Sequence, residues 1–334
     1  MASRKDNIYD EILMSEEAEY KQQLTASDPA GAYTSWAERN GFSHWVLALI
    51  WIIAAFMLFQ VTASVIALAL IGMEGGLSSD PSEAMKLMMD NLDLVFIGNS
   101  TGQILFLGLA TWFYARLHTS RSAHKVFMRF NFRSDTLRYM LLAVVLLVAG
   151  QPVIWFLSWL NTLIPLPDAF ANIQTSQMEM IENFLQSDHM MWLTLFHVAV
   201  VPAICEEVLY RSYVLRAFEK SWGIWPAIII SGLLFGLYHM QLSNLFPLAA
   251  IGILLAYITW VSKSVLPAMA GHFANNGGSV LYGTYYPESA FAEMTPESMP
   301  PIWAVSISLL ITSYIVYWMY NQYQKNRHEE AYYV

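Results

Sequence analysis

Charged side chains are scarce in this chain. They make up 13% of its 334 residues, whereas hydrophobic residues make up 56% and the mean hydropathy is +0.40. Globular domains carry about 25% charged residues, so the composition excludes an ordinary soluble domain. The chain is expected to be all-α, a polytopic bundle of membrane-spanning helices, because a helix satisfies its own backbone hydrogen bonds in lipid.

Cysteine and an excess of basic residues are also lacking. Cys205 is the single cysteine, so an intramolecular disulfide is excluded, and its apolar surroundings predict an inert thiol. The chain has 17 Lys and Arg residues against 26 Asp and Glu residues, which does not indicate a nucleic-acid partner. Residues 1–42 lack the short apolar core of a signal peptide, so the first spanning helix is expected to direct insertion.

Apolar windows long enough to cross a bilayer recur along the rest of the sequence. About 20 residues suffice, because a helix rises about 1.5 Å per residue and the hydrocarbon core is about 30 Å thick. Eight windows are predicted as spans: 44–72, 96–116, 139–164, 190–216, 224–240, 243–262, 265–284 and 302–322. The predicted organisation is a cytoplasmic tail at 1–42, a transmembrane domain at 43–322 and a second cytoplasmic tail at 323–334.

Basic residues are distributed unevenly between the predicted loops. Fifteen of the 17 Lys and Arg residues fall on one predicted side, Lys86 falls on the other, and Arg211 lies within the fourth window. Cytoplasmic loops of membrane proteins are enriched in Lys and Arg. Both termini are therefore predicted to be cytoplasmic, with an even number of spans.

The fourth window contains two adjacent carboxylates, Glu206 and Glu207. A charged side chain in the middle of a membrane costs about 2.5 to 3.5 kcal/mol on insertion scales, so both need partners or water. Arg211 lies four residues after Glu207 on the same helix face, and this pair can neutralise itself. Glu206 is rotated by about 100° from Glu207 and lacks this local cation. It is therefore the carboxylate predicted to accept a proton from water.

Two further windows contribute polar residues at helical spacing. The fifth window contains Phe235 and His239, preceded by two glycines whose spacing lets membrane helices approach closely. The seventh window contains His272 and Asn276, four residues apart and on one face. Polar side chains at membrane depth are costly, so their presence on three windows predicts a shared hydrated site.

The order of the windows creates a geometric difficulty. In an up-and-down arrangement His239 lies near the outer end of the fifth window, whereas His272 lies only seven residues from the inner start of the seventh. The fifth window is short, and a turn at 241–244 that dips into the membrane would bring both histidines to one depth.

Each feature also has a structural interpretation. An intramembrane histidine is more often a hydrogen-bonded packing residue than a catalyst, and a pair such as Glu207 and Arg211 is more often a clamp than part of a reaction. The phenylalanines at 235 and 273 are most simply packing residues. The combination of a free glutamate, two histidines and an asparagine on three windows argues against a purely structural role.

Together these residues resemble the motifs of a protease family. The patterns EExxxR at 206–211, FxxxH at 235–239 and HxxxN at 272–276 resemble those of the CPBP (Abi) family of intramembrane proteases, which includes the type II CAAX prenyl endopeptidases. The resemblance covers about 190–284, and the number of windows also fits it. It implies hydrolysis of a peptide bond in a membrane-associated peptide or protein.

The resemblance also implies a role for each residue. Glu206 would be the general base with His239 assisting, and two oxyanion donors would face them. The implied donors are His272 and Asn276. The implied supporting residues are Glu207, Arg211 and Phe235.

Zinc is an open alternative to a cofactor-free reaction. One glutamate and two histidines form a legitimate zinc ligand set, here Glu206, His239 and His272. The His-Glu-xx-His signature of common zinc proteases is absent from the sequence, and Asn276 would be an unusual zinc ligand. We therefore favour a reaction that requires no metal.

Two other functions remain open. A protein of this fold could be a catalytically inactive membrane scaffold or regulator, or a proton-coupled transporter whose buried charges line an ion path. The inverted repeat that is typical of transporters is not found in the sequence. The expected partners are the lipid bilayer and a membrane-associated substrate, and the expected location is the bacterial cytoplasmic membrane.

Overall fold

The computed structural model describes residues 35–332, except 75, 77, 122, 166–167, 187–190 and 293. These residues form helices joined by turns, and the described part of the chain contains no strand. The prediction of an all-α helical bundle is confirmed.

Each of the eight predicted windows coincides with a helix or with a pair of helices. In chain order the helices of the described residues are α1 Trp36–Arg39, α2 His44–Met73, α3 Pro81–Asp90, α4 Leu92–His118, α5 His124–Phe127, α6 Thr136–Ala149, α7 Gln151–Thr162, α8 Asp168–Gln186, α9 Met191–Trp222, α10 Ile224–Tyr238, α11 Leu245–Ser262, α12 Leu266–Tyr285, α13 Pro287–Ala290 and α14 Ile302–Tyr332. A short 3₁₀ turn, Leu242–Asn244, leads into α11.

Five helical segments are long and apolar enough to cross a membrane. They are α2, α4, α9, α11 with its preceding turn, and α14 up to Asn326. The pair α6 and α7 makes a sixth if the two helices form one bent span. The chain is therefore a polytopic membrane protein by length and composition, whereas eight spans and two cytoplasmic termini stay predictions.

The third predicted span is broken rather than continuous. The axes of α6 and α7 differ by 47° across a break at Gly150. Pro152, in the first turn of α7, has no backbone N–H and cannot continue the hydrogen-bond ladder of a straight helix. The side-chain amide of Gln151 donates to the carbonyl of Leu147 at 3.1 Å, so a polar side chain is placed at the bend.

Small residues bring α10 against α11. A Cβ added to Gly232 would lie 2.6 Å from the backbone nitrogen of Ile253, and one added to Gly252 would lie 2.9 Å from the Cα of Gly232. The two backbones are therefore in direct contact, as the spacing of the glycines predicted. This contact holds the end of α10, where His239 follows, inside the bundle.

The inner helices differ from the outer ones. More than half of the residues in the most apolar windows of α9 and α11 are buried, against 28% for α2 and 22% for α14. The largest fully buried side chains include Tyr210, Arg211 and Tyr213, all on α9. The helix with the two adjacent carboxylates is therefore, with α11, one of the inner helices of the bundle.

The predicted tails are described only in part. Residues 1–34 of the predicted tail at 1–42 lie outside the described residues. At its end, Ser35 and Glu38 cap α1 reciprocally, with the Ser35 N–H donating to the Glu38 carboxylate at 2.7 Å. Helix α14 continues to Tyr332, into the predicted tail at 323–334.

Candidate active site

The two adjacent glutamates lie at the end of the α-helical part of α9, Val201–Glu207, which π-helical segments flank on both sides. Pro202 lies at the start of this part and removes one backbone donor, which fits the widened turns before it. Glu207 is fully buried and Glu206 is 7% exposed. Both carboxylates are thus withdrawn from the outer surface of the bundle.

The carboxylate of Glu207 is shared between two partners. Its Oε2 lies 3.1 Å from Nε of Arg211 on the next turn of α9, and its Oε1 accepts from Nδ1 of His272 at 2.9 Å. Glu207 Oε2 and Arg211 Nε are close enough for an ion pair. Neither atom makes a hydrogen bond among the described residues, so the angle between them does not suit one. The expected neutralisation of Glu207 by Arg211 is therefore electrostatic.

Phe235 supports the buried cation and both imidazoles. The Arg211 guanidinium carbon lies 4.5 Å from the centre of the Phe235 ring, a cation–π distance. The same ring lies edge-on to His239 at 4.8 Å and to His272 at 5.8 Å. Its position limits how far either imidazole can tilt, so Phe235 does more than fill space.

Glu206 faces both histidines. Its Oε2 lies 3.9 Å from Nε2 of His239 and 4.0 Å from Nε2 of His272. These separations are too long for direct hydrogen bonds, and Oε2 is buried with no hydrogen-bond partner among the described residues. Separations of this size suit a small polar molecule held between the three atoms.

The two histidines lie together although the order of the windows places them at opposite ends of an up-and-down bundle, because both Nε2 atoms lie within 4.0 Å of the same oxygen of Glu206. Helix α10 ends at Tyr238, after only 15 residues, and His239 follows it directly. The turn that continues to α11 is held at its other side by Asn161, which donates to the carbonyl of Leu242 at 2.9 Å and accepts from the N–H of Phe246 at 2.9 Å.

Hydrogen bonds to the second ring nitrogens orient both histidines. Nδ1 of His239 donates to the carbonyl of Phe235 at 2.8 Å, which leaves Nε2 as the acceptor in the neutral ring. Nδ1 of His272 donates to Glu207 in the same way. A donor role for Nε2 of His272 therefore requires that this ring carries both protons.

Asn276 lies one turn beyond His272 on α12 and contacts α9 at a different level. Its Nδ2 donates to the carbonyl of Val198 at 3.1 Å, and its Oδ1 accepts from Nδ2 of Asn275 at 3.2 Å. The structure thus joins Glu206, His239 and His272 around one point and attaches Asn276 to the same helix, two turns before Glu206.

Further polar groups at the site were not predicted. The hydroxyls of Tyr210 and Tyr238 are buried without a hydrogen-bond partner among the described residues, and their rings lie 5.6 Å apart. Tyr210 could have been recognised from its spacing, since it lies four residues after Glu206. Gln151 donates to Asn275 at 3.1 Å from a helix that carries no motif, so no local signal indicates it.

The residues of the zinc alternative are more widely spaced than the donor atoms of a tetrahedral zinc site. Donor atoms in a tetrahedral zinc site, at about 2.0 to 2.2 Å from the ion, lie about 3.3 to 3.6 Å from one another. Glu206 Oε2 lies farther than this from both Nε2 atoms, at 3.9 and 4.0 Å. No group of three or more His, Cys, Asp or Glu residues in the described ranges has a geometry that could hold a metal.

Comparison with known proteins identifies a family for the segment that carries the motifs. Residues 188–278 match the family described as type II CAAX prenyl endopeptidase, Rce1-like. No curated protein and no solved structure matches the chain significantly. The matched segment contains all three motifs, so the family recognised from their spacing is confirmed. The family implies a membrane-associated peptide or protein as substrate, and the chain is an integral membrane protein that carries an Rce1-like domain of the CAAX protease family.

Proposed function

We propose that this protein is an intramembrane endopeptidase that hydrolyses a peptide bond with a water molecule activated by Glu206. One observation carries the proposal: the buried Oε2 of Glu206, without a hydrogen-bond partner among the described residues, lies about equally far from the Nε2 atoms of two oriented histidines. A buried carboxylate oxygen without a hydrogen bond costs free energy of folding. Its retention at this place is what a reaction would require.

The proton path follows from the hydrogen bonds. Glu206 takes a proton from water while the water oxygen attacks the carbonyl carbon of the scissile peptide bond. His239 presents Nε2 as an acceptor to the same water, because its Nδ1 is committed to Phe235. When the C–N bond breaks, Glu206 returns the proton to the leaving nitrogen. The products are a carboxylic acid and an amine.

Charge develops on the carbonyl oxygen during the attack and needs donors. His272 would donate from Nε2, on the side of Glu206, while its Nδ1–H stays bonded to the Glu207 carboxylate. Asn276 offers the second N–H of its amide, since the first is bound to Val198. Glu207 and Arg211 keep the charges around His272 paired.

The reaction is proposed without a metal. The distances between Glu206 and the two imidazoles match a water bridge better than a zinc centre.

We also propose, from the distribution of Lys and Arg and the family match, that the enzyme lies in the bacterial cytoplasmic membrane with both termini inside. A membrane-associated substrate fits the exposed apolar surface of helices such as α2 and α14.

The test is hydrolysis by the purified full-length protein in proteoliposomes. The probes are a farnesylated peptide with a C-terminal CAAX sequence and a set of membrane-inserted peptides, with cleavage sites read by mass spectrometry. Glu206→Gln should lower cleavage by about 10²- to 10⁴-fold, whereas the control Glu288→Gln, at an exposed acid outside the three motifs, should not. Absence of cleavage by the wild type, or equal cleavage by Glu206→Gln, would contradict the proposal and favour a scaffold or regulator.

A further inference from the structure

Three side-chain amides form a hydrogen-bonded line from α7 through α12 to α9. Nε2 of Gln151 donates to Oδ1 of Asn275 at 3.1 Å. Nδ2 of Asn275 donates to Oδ1 of Asn276 at 3.2 Å. Nδ2 of Asn276 donates to the carbonyl of Val198 at 3.1 Å. The line connects the bend of the α6–α7 pair to the helix that carries Glu206.

The direction of this line is determined at both ends. Gln151 also donates to the carbonyl of Leu147 at 3.1 Å, and the line ends on the carbonyl of Val198. A backbone carbonyl can only accept. Reversing any one amide would place two oxygens or two N–H groups against each other, so all three amides share a single orientation.

This orientation defines what the amide of Asn276 can offer. Its Oδ1 is occupied by Asn275, and one of its two N–H groups is occupied by Val198. The hydrogen that remains is a donor. Asn276 is therefore held as a hydrogen-bond donor, and its oxygen is engaged elsewhere and not presented as an acceptor or a metal ligand.

Gln151 lies at the break in the third span. It is the first residue of α7, directly after Gly150 and before Pro152, where the helix axis turns by 47°. Ala143 and Leu147 on α6 lie against Gly271 of α12, and Gln151, one turn after Leu147, continues that helix face. Gln151 lies outside the segment that matches the family.

We propose that Gln151 and Asn275 are positioning residues that orient the Asn276 amide as a donor to the oxyanion. This inference rests on the proposed hydrolysis, and it adds a supporting line from a helix that carries none of the three motifs. Neither residue contacts the reacting atoms. They act on the reaction through Asn276. Their substitution should therefore lower kcat only while Asn276 is present, which a purely structural role would not require.

The test is a kinetic double-mutant cycle on the full-length protein, with the cleaved probe peptide as substrate. Gln151→Met keeps the length of the side chain and removes both donors. It should lower kcat about tenfold with little change in KM. This loss is smaller than the loss of about 100- to 1000-fold that is expected when an oxyanion donor is itself removed. In an Asn276→Ala background the same substitution should change kcat by less than about twofold.

Two further variants separate positioning from folding. Asn275→Asp keeps the acceptor for Gln151 but removes the donor to Asn276, and it should lower kcat at least as much as Gln151→Met. Ser158→Ala is the control on α7, because among the described residues its hydroxyl bonds the carbonyl of Ile154 within that helix and no other group. It should leave kcat unchanged. Unchanged kcat in Gln151→Met and Asn275→Asp, or equal losses with and without Asn276, would overturn the proposal.

The two proposals fail in different ways. If the wild type shows no Glu206-dependent cleavage, the proposed function fails, and the line of amides is then tested by thermal unfolding. Gln151→Met and Asn276→Ala should shift the midpoint non-additively if the line exists, because both variants break the same chain of bonds. Additive shifts would overturn the inference. Normal wild-type cleavage with unchanged variants would reject the positioning role alone.

Discussion

Two clusters of glutamate and histidine occupy this molecule, and they are built differently. The N-terminal cluster consists of Glu38, His44, His118, Tyr213 and Lys220. The Tyr213 hydroxyl lies 2.8 Å from Nε2 of His118, whose Nδ1 lies 2.8 Å from Nδ1 of His44. Nε2 of His44 lies 3.2 Å from Glu38, and Lys220 donates to Glu38 at 3.3 Å. With both imidazoles neutral, Tyr213 donates to His118, His118 donates to His44, and His44 donates to Glu38.

The candidate active site has the same residue types but leaves one carboxylate oxygen without a hydrogen bond. Glu206 Oε2 lies 3.9 and 4.0 Å from its two histidines, whereas the N-terminal cluster has contacts of 2.8 to 3.3 Å throughout. A closed chain of hydrogen bonds ties helices together. An open arrangement is what the proposed hydrolysis requires, because the attacking water must bond to Glu206. The comparison therefore predicts that the active site affects activity and the N-terminal cluster affects stability.

The largest expected effect is on activity, from Glu206→Gln. We expect hydrolysis to fall by about 10²- to 10⁴-fold, the contribution of a general base. The thermal midpoint should not fall, because the amide has the same shape and the Oε2 atom of Glu206 makes no hydrogen bond among the described residues that could be lost. Initial rates and unfolding curves on the same preparation check both. A large fall in the midpoint would make Glu206 a structural residue like Glu38.

The second effect is on stability, from Glu207→Leu. This change leaves the fully buried Arg211 without its anion and His272 without its acceptor. Removal of one partner from a buried ion pair costs about 3 to 5 kcal/mol. Unfolding in detergent, compared with the exposed Glu288→Gln, measures the loss. A difference below about 1 kcal/mol would show that Arg211 finds other partners.

Tyr213→Phe tests the N-terminal cluster alone. It removes a hydroxyl and leaves the buried Nε2 of His118 without a partner. Stability should fall by about 1 to 3 kcal/mol, while kcat and KM stay at wild-type values. A change in kcat with unchanged stability would contradict the assignment of this cluster to stability.

The pH dependence of stability gives a smaller effect, through Glu38. The hydrogen bond from His44 lowers the pKa of Glu38 well below its usual value of 4.5, with help from Ser35 and Lys220 and against burial. A lowered pKa in the folded state adds stability above the unfolded value, and this is lost as pH falls. Between about pH 6 and about pH 3, the wild type should lose more stability than Glu38→Gln. Parallel curves would exclude this contribution.

The smallest expected effect follows from chelation. Because the donors at Glu206 are too far apart for a zinc centre as placed, dialysis against EDTA should leave the initial rate unchanged. Loss of activity on dialysis with recovery on adding Zn²⁺ would show that the histidines close around a metal. The N-terminal cluster serves as the internal reference, since its stability should be independent of metal.

Much of the arrangement was predictable from local spacing. Glu207 and Arg211, Phe235 and His239, and His272 and Asn276 are each four residues apart, and helix geometry alone places both members of a pair on one face. The all-α fold and its apolar windows follow from composition and the requirement for internal hydrogen bonding in lipid. The catalytic roles of these residues stay predictions.

Other features depend on contacts that sequence spacing does not encode. His44 and His118 are separated by 74 positions, and Gln151 and Asn275 by 124. The predicted third span treated α6 and α7 as one segment because apolarity continues across Gly150 and Pro152. The bend came from the missing backbone donor and from packing, neither of which changes the hydropathy of the window.

Composition and periodicity were sufficient to specify a membrane-embedded helical bundle and the helix faces that carry Glu206, His239, His272 and Asn276. The distances between those faces, the partner that each histidine nitrogen takes and the sense of the amide line emerged only when the helices packed. Intervals along one helix follow from its fixed rise and turn. Distances between helices depend on the small side chains at each crossing, such as Gly232 against Gly252, and on which hydrogen-bond partners those crossings bring within reach.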